Sequence, residues 1–184
     1  MATVFTIGHS NHKWSEFVST LKDNRIDVVV DVRRYPGSRT CPQFNKDQII
    51  NALPKEYVSY VHIEKLGGRR KQSDTKGSRC EGIDNSGWKN EGFRSYADYM
   101  ATTSFREGIH EILSLMANYS NIAIMCAEAV PWRCHRRMIA DYLTLVEDIP
   151  VFDIIDSKHQ PEPHHVTSFA HLIDSNTTVI YPEK

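Results

Sequence analysis

The sequence predicts an α/β fold: a single three-layer domain with a mostly parallel sheet of about five strands. Three observations carry that expectation. Short apolar, β-branched runs alternate along the chain with stretches of helical periodicity. The run "IDVVVDV" (26–32) lacks polar alternation, the signature of a strand covered on both faces. The chain has 184 residues, enough for one domain with a real core and too few for two comfortable ones.

The elements follow in order. "TVFTIGH" (3–9) reads as a short strand that stops at Gly8. "KWSEFVSTLKDN" (13–24) sets Trp14, Phe17, Val18 and Leu21 at helical spacing. After the strand at 26–32, Pro36, Gly37 and Pro42 break regular structure. A helix is expected over 46–53 and a third strand over 57–63. Residues 64–92 are rich in glycine and interleaved with Arg69, Arg70, Lys71, Lys76 and Arg79, the pattern of a functional loop or of a partly disordered segment. Residues 93–118 carry one or two helices, broken near Thr102–Ser104. A fourth strand (121–128), a helix (135–146) and a fifth strand (149–155) complete the domain, taken as 1–156. Residues 157–184 form a C-terminal extension of uncertain structure, and its His164 and His165 read as tail.

Composition narrows the function classes. No run approaches the eighteen or so apolar residues that span a bilayer, so no membrane is expected. The N-terminus lacks a basic region followed by a long apolar one, which points to a cytoplasmic or nuclear protein. Four irregularly spaced cysteines without a CxxC pair suit free thiols, and no metal site is assigned. No cofactor is signalled either, since the first strand is not followed by GxGxxG and there is no P-loop. Net charge is −1, yet residues 33–94 hold thirteen Lys/Arg against seven Asp/Glu, while 141–184 hold two against eight. A basic middle suits an anionic ligand.

In parallel α/β sheets, ligands sit beyond the carboxyl ends of the strands. That rule gathers four strand ends at one rim: Gly8, His9 and Ser10; Asp31, Arg33 and Arg34; Gly67, Gly68 and Arg69; and Cys126, Glu128 and the loop that follows. "TIGHS" (6–10), "VVDVRRYPGS" (29–38), "YVHIEKLGG" (60–68), "FRSYADYM" (93–100) and "CAEAVPWRCHRRMIADYL" (126–143) stand in this order. With these blocks the chain resembles a widespread family known as domain of unknown function 488, over about residues 4–156. The resemblance implies a single α/β domain and implies no particular activity.

The loop from Cys126 to Arg137 is the strongest site candidate. A helix starting near Cys134 would place that thiol at its positive end, beside Arg133, Arg136 and Arg137. Glu128, just past an apolar strand, suits general acid/base or nucleophilic work, or an ion pair with an arginine. The first reading is an enzyme acting on a phosphate-bearing ligand, a nucleotide or nucleic acid. Glu128 and His135 would carry the chemistry, with Cys126 or Cys134 assisting. His9, Ser10, Arg33, Arg34, Gly67, Gly68, Arg69, Arg133 and Arg136 would bind the ligand, and Tyr96, Tyr99 or Trp132 would stack on a base. A second reading is thiol chemistry of the sulfurtransferase or phosphatase type, since "VVDVR" is similar to a rhodanese opening strand. The interval "AEAVPW" tells against it: no glycine, a proline without an N–H, and an acidic Glu128. A third is a non-catalytic nucleic-acid-binding module. The oligomeric state stays open.

Overall fold

The computed structural model describes residues 2–75 and 82–183. The predicted elements follow in the predicted order: β1 (Thr3–Gly8), α1 (Trp14–Asp23), β2 (Val28–Asp31), α2 (Lys46–Ala52), β3 (Ser59–His62), α3 (Glu91–Tyr99), α4 (Thr103–Leu115), β4 (Asn121–Cys126), α5 (Arg136–Leu145) and β5 (Val151–Ile154). The extension adds β6 (Glu162–Pro163) and a hairpin of β7 (His171–Ile173) and β8 (Thr178–Ile180).

Among the described residues six strands form one sheet in the order β3-β2-β4-β1-β5-β6, parallel except for β6. The fold is therefore a mixed α/β architecture with a mostly parallel sheet, one short strand larger than expected. Register follows from burial. Val28, Val29 and Val30 on β2 are fully buried and lie opposite Ile122, Ala123 and Ile124 on β4. Alternate residues then serve opposite faces. Val28, Val30, Ile122 and Ile124 pack with Phe105 and Ile109 of α4 and with Met138, Ile139 and Leu143 of α5. Val29, Ala123, Met125 and Ile7 pack instead with Phe17 and Leu21 of α1 and Ile49 of α2. Burying each of these large side chains contributes roughly 1.5–3 kcal/mol.

The break between α3 and α4 has a local cause. The Thr102 hydroxyl oxygen accepts the Phe105 N–H at 3.2 Å and caps α4, as the Asn90 side chain caps α3 through Phe93 at 3.1 Å. In the glycine-rich stretch, Glu64–Leu66 and Gln72–Thr75 form short 3₁₀ turns. Lys76, Gly77, Arg79 and Cys80 lie outside the described residues.

The C-terminal segment is bolted to the domain. His164 sits between two buried carboxylates, with Nδ1 2.9 Å from Asp153 on β5 and Nε2 2.9 Å from Asp141 on α5. Thr6 donates to Asp153, and the Tyr181 hydroxyl donates to Asp141 at 3.0 Å. Paired to both carboxylates against the burial that opposes its charge, His164 titrates at about 9 and is an imidazolium at neutral pH. The sequence reading of His164 as tail is thus corrected: its partners lie on elements that only the fold brings to it.

Candidate active site

Chain direction at the sheet centre creates a crevice. β1 leads into α1 on one face, and its neighbour β4 leads into α5 on the other. Ligands of open α/β sheets bind at such a switch point. A cleft of about 550 Å³ opens there, lined by residues of all four predicted strand ends: His9, Ser10, Arg33, Arg34, Gly68, Arg69, Cys126, Glu128, Cys134 and His135. Tyr35, Ser38 and Thr40 also line it; their only signal in the sequence was their place just beyond the second strand.

Close packing holds the ends together. The β1–β4 ladder runs on past the strands, with the His9 and Ser10 N–H groups donating to the Cys126 and Ala127 carbonyls at 2.9 and 3.0 Å. A Cβ at Gly8 would lie 1.7 Å from the Glu128 carbonyl oxygen, so only glycine permits this approach. A Cβ at Gly68 would lie 2.8 Å from Nδ1 of His135. Two non-glycine residues of the lining, Ser10 and Arg69, hold left-handed backbone with φ of 46° and 54°.

Three of the predicted anion-binding arginines are engaged by the protein itself. Arg33 forks onto Asp31, with Nε 2.9 Å from Oδ1 and Nη2 2.6 Å from Oδ2, and donates further to the Phe44 carbonyl. Tyr60 donates to the same carboxylate at 2.7 Å. The remaining Arg33 nitrogen, Nη1, lies 3.1 Å from His9 Nε2. Because His9 Nδ1 faces the Ser10 carbonyl at 2.8 Å, Nδ1 carries the proton and Nε2 accepts from Arg33. Burial, reinforced by the Arg33 charge, pulls the His9 pKa down to about 4, so the ring is neutral. Arg34 pairs with Asp74 and donates to the Arg69 carbonyl. Arg136, at 0 % exposure, lies beneath the cleft.

Other expected ligand contacts are placed elsewhere. Tyr96 is fully buried, its hydroxyl donating to the Leu66 carbonyl and its ring 4.9 Å from that of His135, so it cannot stack on a base. Tyr99 donates to the Lys65 carbonyl and lies under the Arg70 guanidinium. Gly67 packs against the Arg34 backbone. Trp132 and Arg133 are exposed on a 3₁₀ turn outside the cleft.

The thiols form a different constellation. Arg136 Nη1 donates to the Cys126 sulfur at 2.7 Å and to the Glu128 carbonyl at 2.6 Å, and Nη2 donates to the Ala129 carbonyl at 3.0 Å. Its Nε has no partner among the described residues. The Arg136 N–H, at the start of α5, points at the Cys134 sulfur at 3.5 Å. Both thiols thus meet Arg136, Cys126 through the guanidinium and Cys134 through the backbone N–H. Burial alone would raise the Cys134 thiol, but the Cys126 hydrogen bond and the Arg136 charge outweigh it and hold Cys134 at about 7. Burial, with Cys134 adding to it, pushes Cys126 well above its ordinary value. Of the two thiols, Cys134 is the more readily ionised.

His135 completes the group. Its Nε2 lies 3.0 Å from the Val32 carbonyl and must carry the proton there, leaving Nδ1 as an acceptor 3.6 Å from the Cys134 sulfur. Burial lowers the His135 pKa and keeps the imidazole neutral. Glu128 is exposed at the rim, and its carboxylate forms no ion pair among the described residues. No group of His, Cys, Asp and Glu side chains suited to a metal ion is present among them, and no helix there is long and apolar enough to cross a membrane.

Neither the curated proteins nor the solved structures yielded a match to this chain. A protein-family match does cover residues 13–143, most of the domain, including the DVRR, LGG and CHR blocks that build the cleft. The chain belongs to the family described as Domain of unknown function DUF488.

Proposed function

We propose that this protein is a thiol-dependent enzyme in which Cys134 attacks a small, anionic electrophile held in the cleft. One observation carries the reading. Arg136 is a fully buried cation that pairs with no carboxylate among the described residues; its donors go to two carbonyls and the Cys126 sulfur. A buried charge needs a compensating one. The Cys134–Cys126 pair supplies it once Cys134 is ionised. His135 acts as base through Nδ1, and the N-terminus of α5 adds to the stabilisation of the thiolate. Arg69, exposed at the rim and without an ion pair among the described residues, is the cation that receives the anionic group.

A phosphate-bearing ligand is the second reading, favoured by the same Arg69 and by Ser10, Ser38 and Thr40, which line the same cleft. Alkylation tests the first reading. Modification of Cys134, followed by peptide mapping, is expected to rise with a midpoint near pH 7. Iodoacetate is expected to outpace its preference ratio for free cysteine relative to neutral iodoacetamide, and Arg69→Ala to remove that advantage alone. Slow labelling with a midpoint near that of a free thiol, about 8.5, would overturn the proposal. Competition of phosphate against iodoacetate but not iodoacetamide would support the second reading.

A further inference from the structure

We propose that Cys126 is the resolving thiol of Cys134, so that the pair cycles between dithiol and disulfide by exchange with a small anionic disulfide. This rests on Cys134 being the nucleophile and assigns its buried neighbour a second chemical role.

The geometry supports a sequence of two displacements. Cys126 and Cys134 both line the cleft, and both sulfurs accept from Arg136, Cys126 from Nη1 at 2.7 Å and Cys134 from the backbone N–H at 3.5 Å. The Cys134 thiolate attacks one sulfur of a disulfide R–S–S–R. That S–S bond breaks, one RS⁻ leaves, and a Cys134–S–S–R mixed disulfide forms. Cys134 is now neutral, and the buried Arg136 guanidinium has lost its anion. The nearest sulfur able to replace it is Cys126, 2.7 Å from Nη1. The first step thus makes Cys126 more acidic, and its proton passes to the departing RS⁻. The Cys126 thiolate then attacks the Cys134 sulfur and expels the second RS⁻. Two protein thiols are oxidised and one disulfide is reduced to two RSH.

The same charge argument sets the direction in which the pair is poised. With both sulfurs in a disulfide, Arg136 has no anion at all among the described residues. The reduced form is therefore the stabilised one, and the disulfide is readily reduced by other thiols, which makes the couple oxidising. A structural disulfide behaves in the opposite way.

The test uses the full-length reduced protein with glutathione disulfide as probe, an acid quench, and peptide mapping without reductant. The expected result for the wild type is a Cys126–Cys134 disulfide with two equivalents of glutathione released, while Cys126→Ser stops at a Cys134–glutathione adduct. A wild type that also stops at the Cys134 adduct, or that joins Cys134 to Cys41 or Cys80, overturns the role of Cys126 and leaves the Cys134 nucleophile standing. A Cys134 that stays a free thiol in both proteins, in neither adduct nor disulfide, overturns the nucleophile itself. Should Cys126→Ser fail to fold, the mapping of the wild type alone decides between these outcomes.

Discussion

Arg136 and Cys126 form a buried pair: a guanidinium nitrogen donates to the thiol sulfur at 2.7 Å, where a carboxylate would ordinarily stand. Replacing a charged partner with a pair of thiols ties the protonation of those thiols to the stability of the core. Arg136→Met removes the cation, leaves the Glu128 and Ala129 carbonyls without their donor, and frees Cys134 from the field that lowers it. The expected outcome is a loss of about 3 kcal/mol in stability. The alkylation midpoint of Cys134 should also move up from near 7 toward about 8.5. Denaturant titration reads the first and pH-dependent labelling the second; an unmoved midpoint would show that the arginine does not control the thiol.

Gly68→Ala isolates the base. A Cβ there would lie 2.8 Å from His135 Nδ1, the nitrogen that faces Cys134. The ring must turn or retreat, since its opposite edge is fixed by the Val32 carbonyl. Labelling of Cys134 near neutral pH is expected to fall several-fold, with a stability change of only about 1–2 kcal/mol, the usual range for a small overpacking. Labelling as fast as wild type would mean that His135 takes no part.

The Asp31–Arg33 fork is expected to be architectural. Asp31→Asn leaves a buried guanidinium, 7 % exposed, facing a neutral amide, and should cost about 3–5 kcal/mol. Tyr60→Phe removes one of several donors to the same carboxylate and should cost only about 1 kcal/mol. Thermal melts of the two variants side by side give the ratio. Equal losses would mean that the ion pair contributes no more than its neighbouring hydroxyl.

The sheet is legible in the sequence because its central strands are apolar on both faces: Val28 to Val30 and Ile122 to Met125 leave no polar alternation to misread. The break at Thr102 is legible because a threonine cap is a local event. β6 is not, since Glu162 and Pro163 carry no periodicity and gain a strand only by lying beside β5. The convergence of His9, Arg34, Gly68, Cys126 and Glu128 follows from topology, as parallel strands bring their carboxyl ends to one rim. What each of them does there is another matter. Arginines rich in charge on paper are consumed by partners: Arg33 by a residue two positions earlier, and Arg34 by Asp74 forty positions on. Arg136 is fully buried although arginine is mostly a surface residue, and Tyr96, of a type intermediate in burial, is buried as well. The Arg33 pair is local, and a buried ion pair of Asp31 with an arginine is a reading the strand itself offers; the Arg34 pair over forty positions belongs to tertiary packing, which no local pattern encodes.

Two histidines bound the pH range of stability from opposite sides. His9 is held at about 4, below its unfolded value near 6.5, so the unfolded chain binds the extra proton. Stability therefore falls as pH drops from about 6.5 to about 4. His164 is raised to about 9, so the folded chain holds the proton; its contribution is complete below about 6.5 and is lost as pH rises through about 9. The shift corresponds to about 3 kcal/mol at most, and the ring's 2 % side-chain exposure keeps solvent screening small. His164→Ala leaves Asp141 and Asp153 buried and facing each other without their cation. The variant is expected to melt about 6–12 °C lower at pH 6, at roughly 2–4 °C per kcal/mol for a chain of this length. Between pH 7 and 9.5 the wild-type Tm should decline toward that of the variant, whose own profile stays flatter over the same window. Parallel profiles for the two proteins would show that His164 is not the charged bolt between α5 and β5.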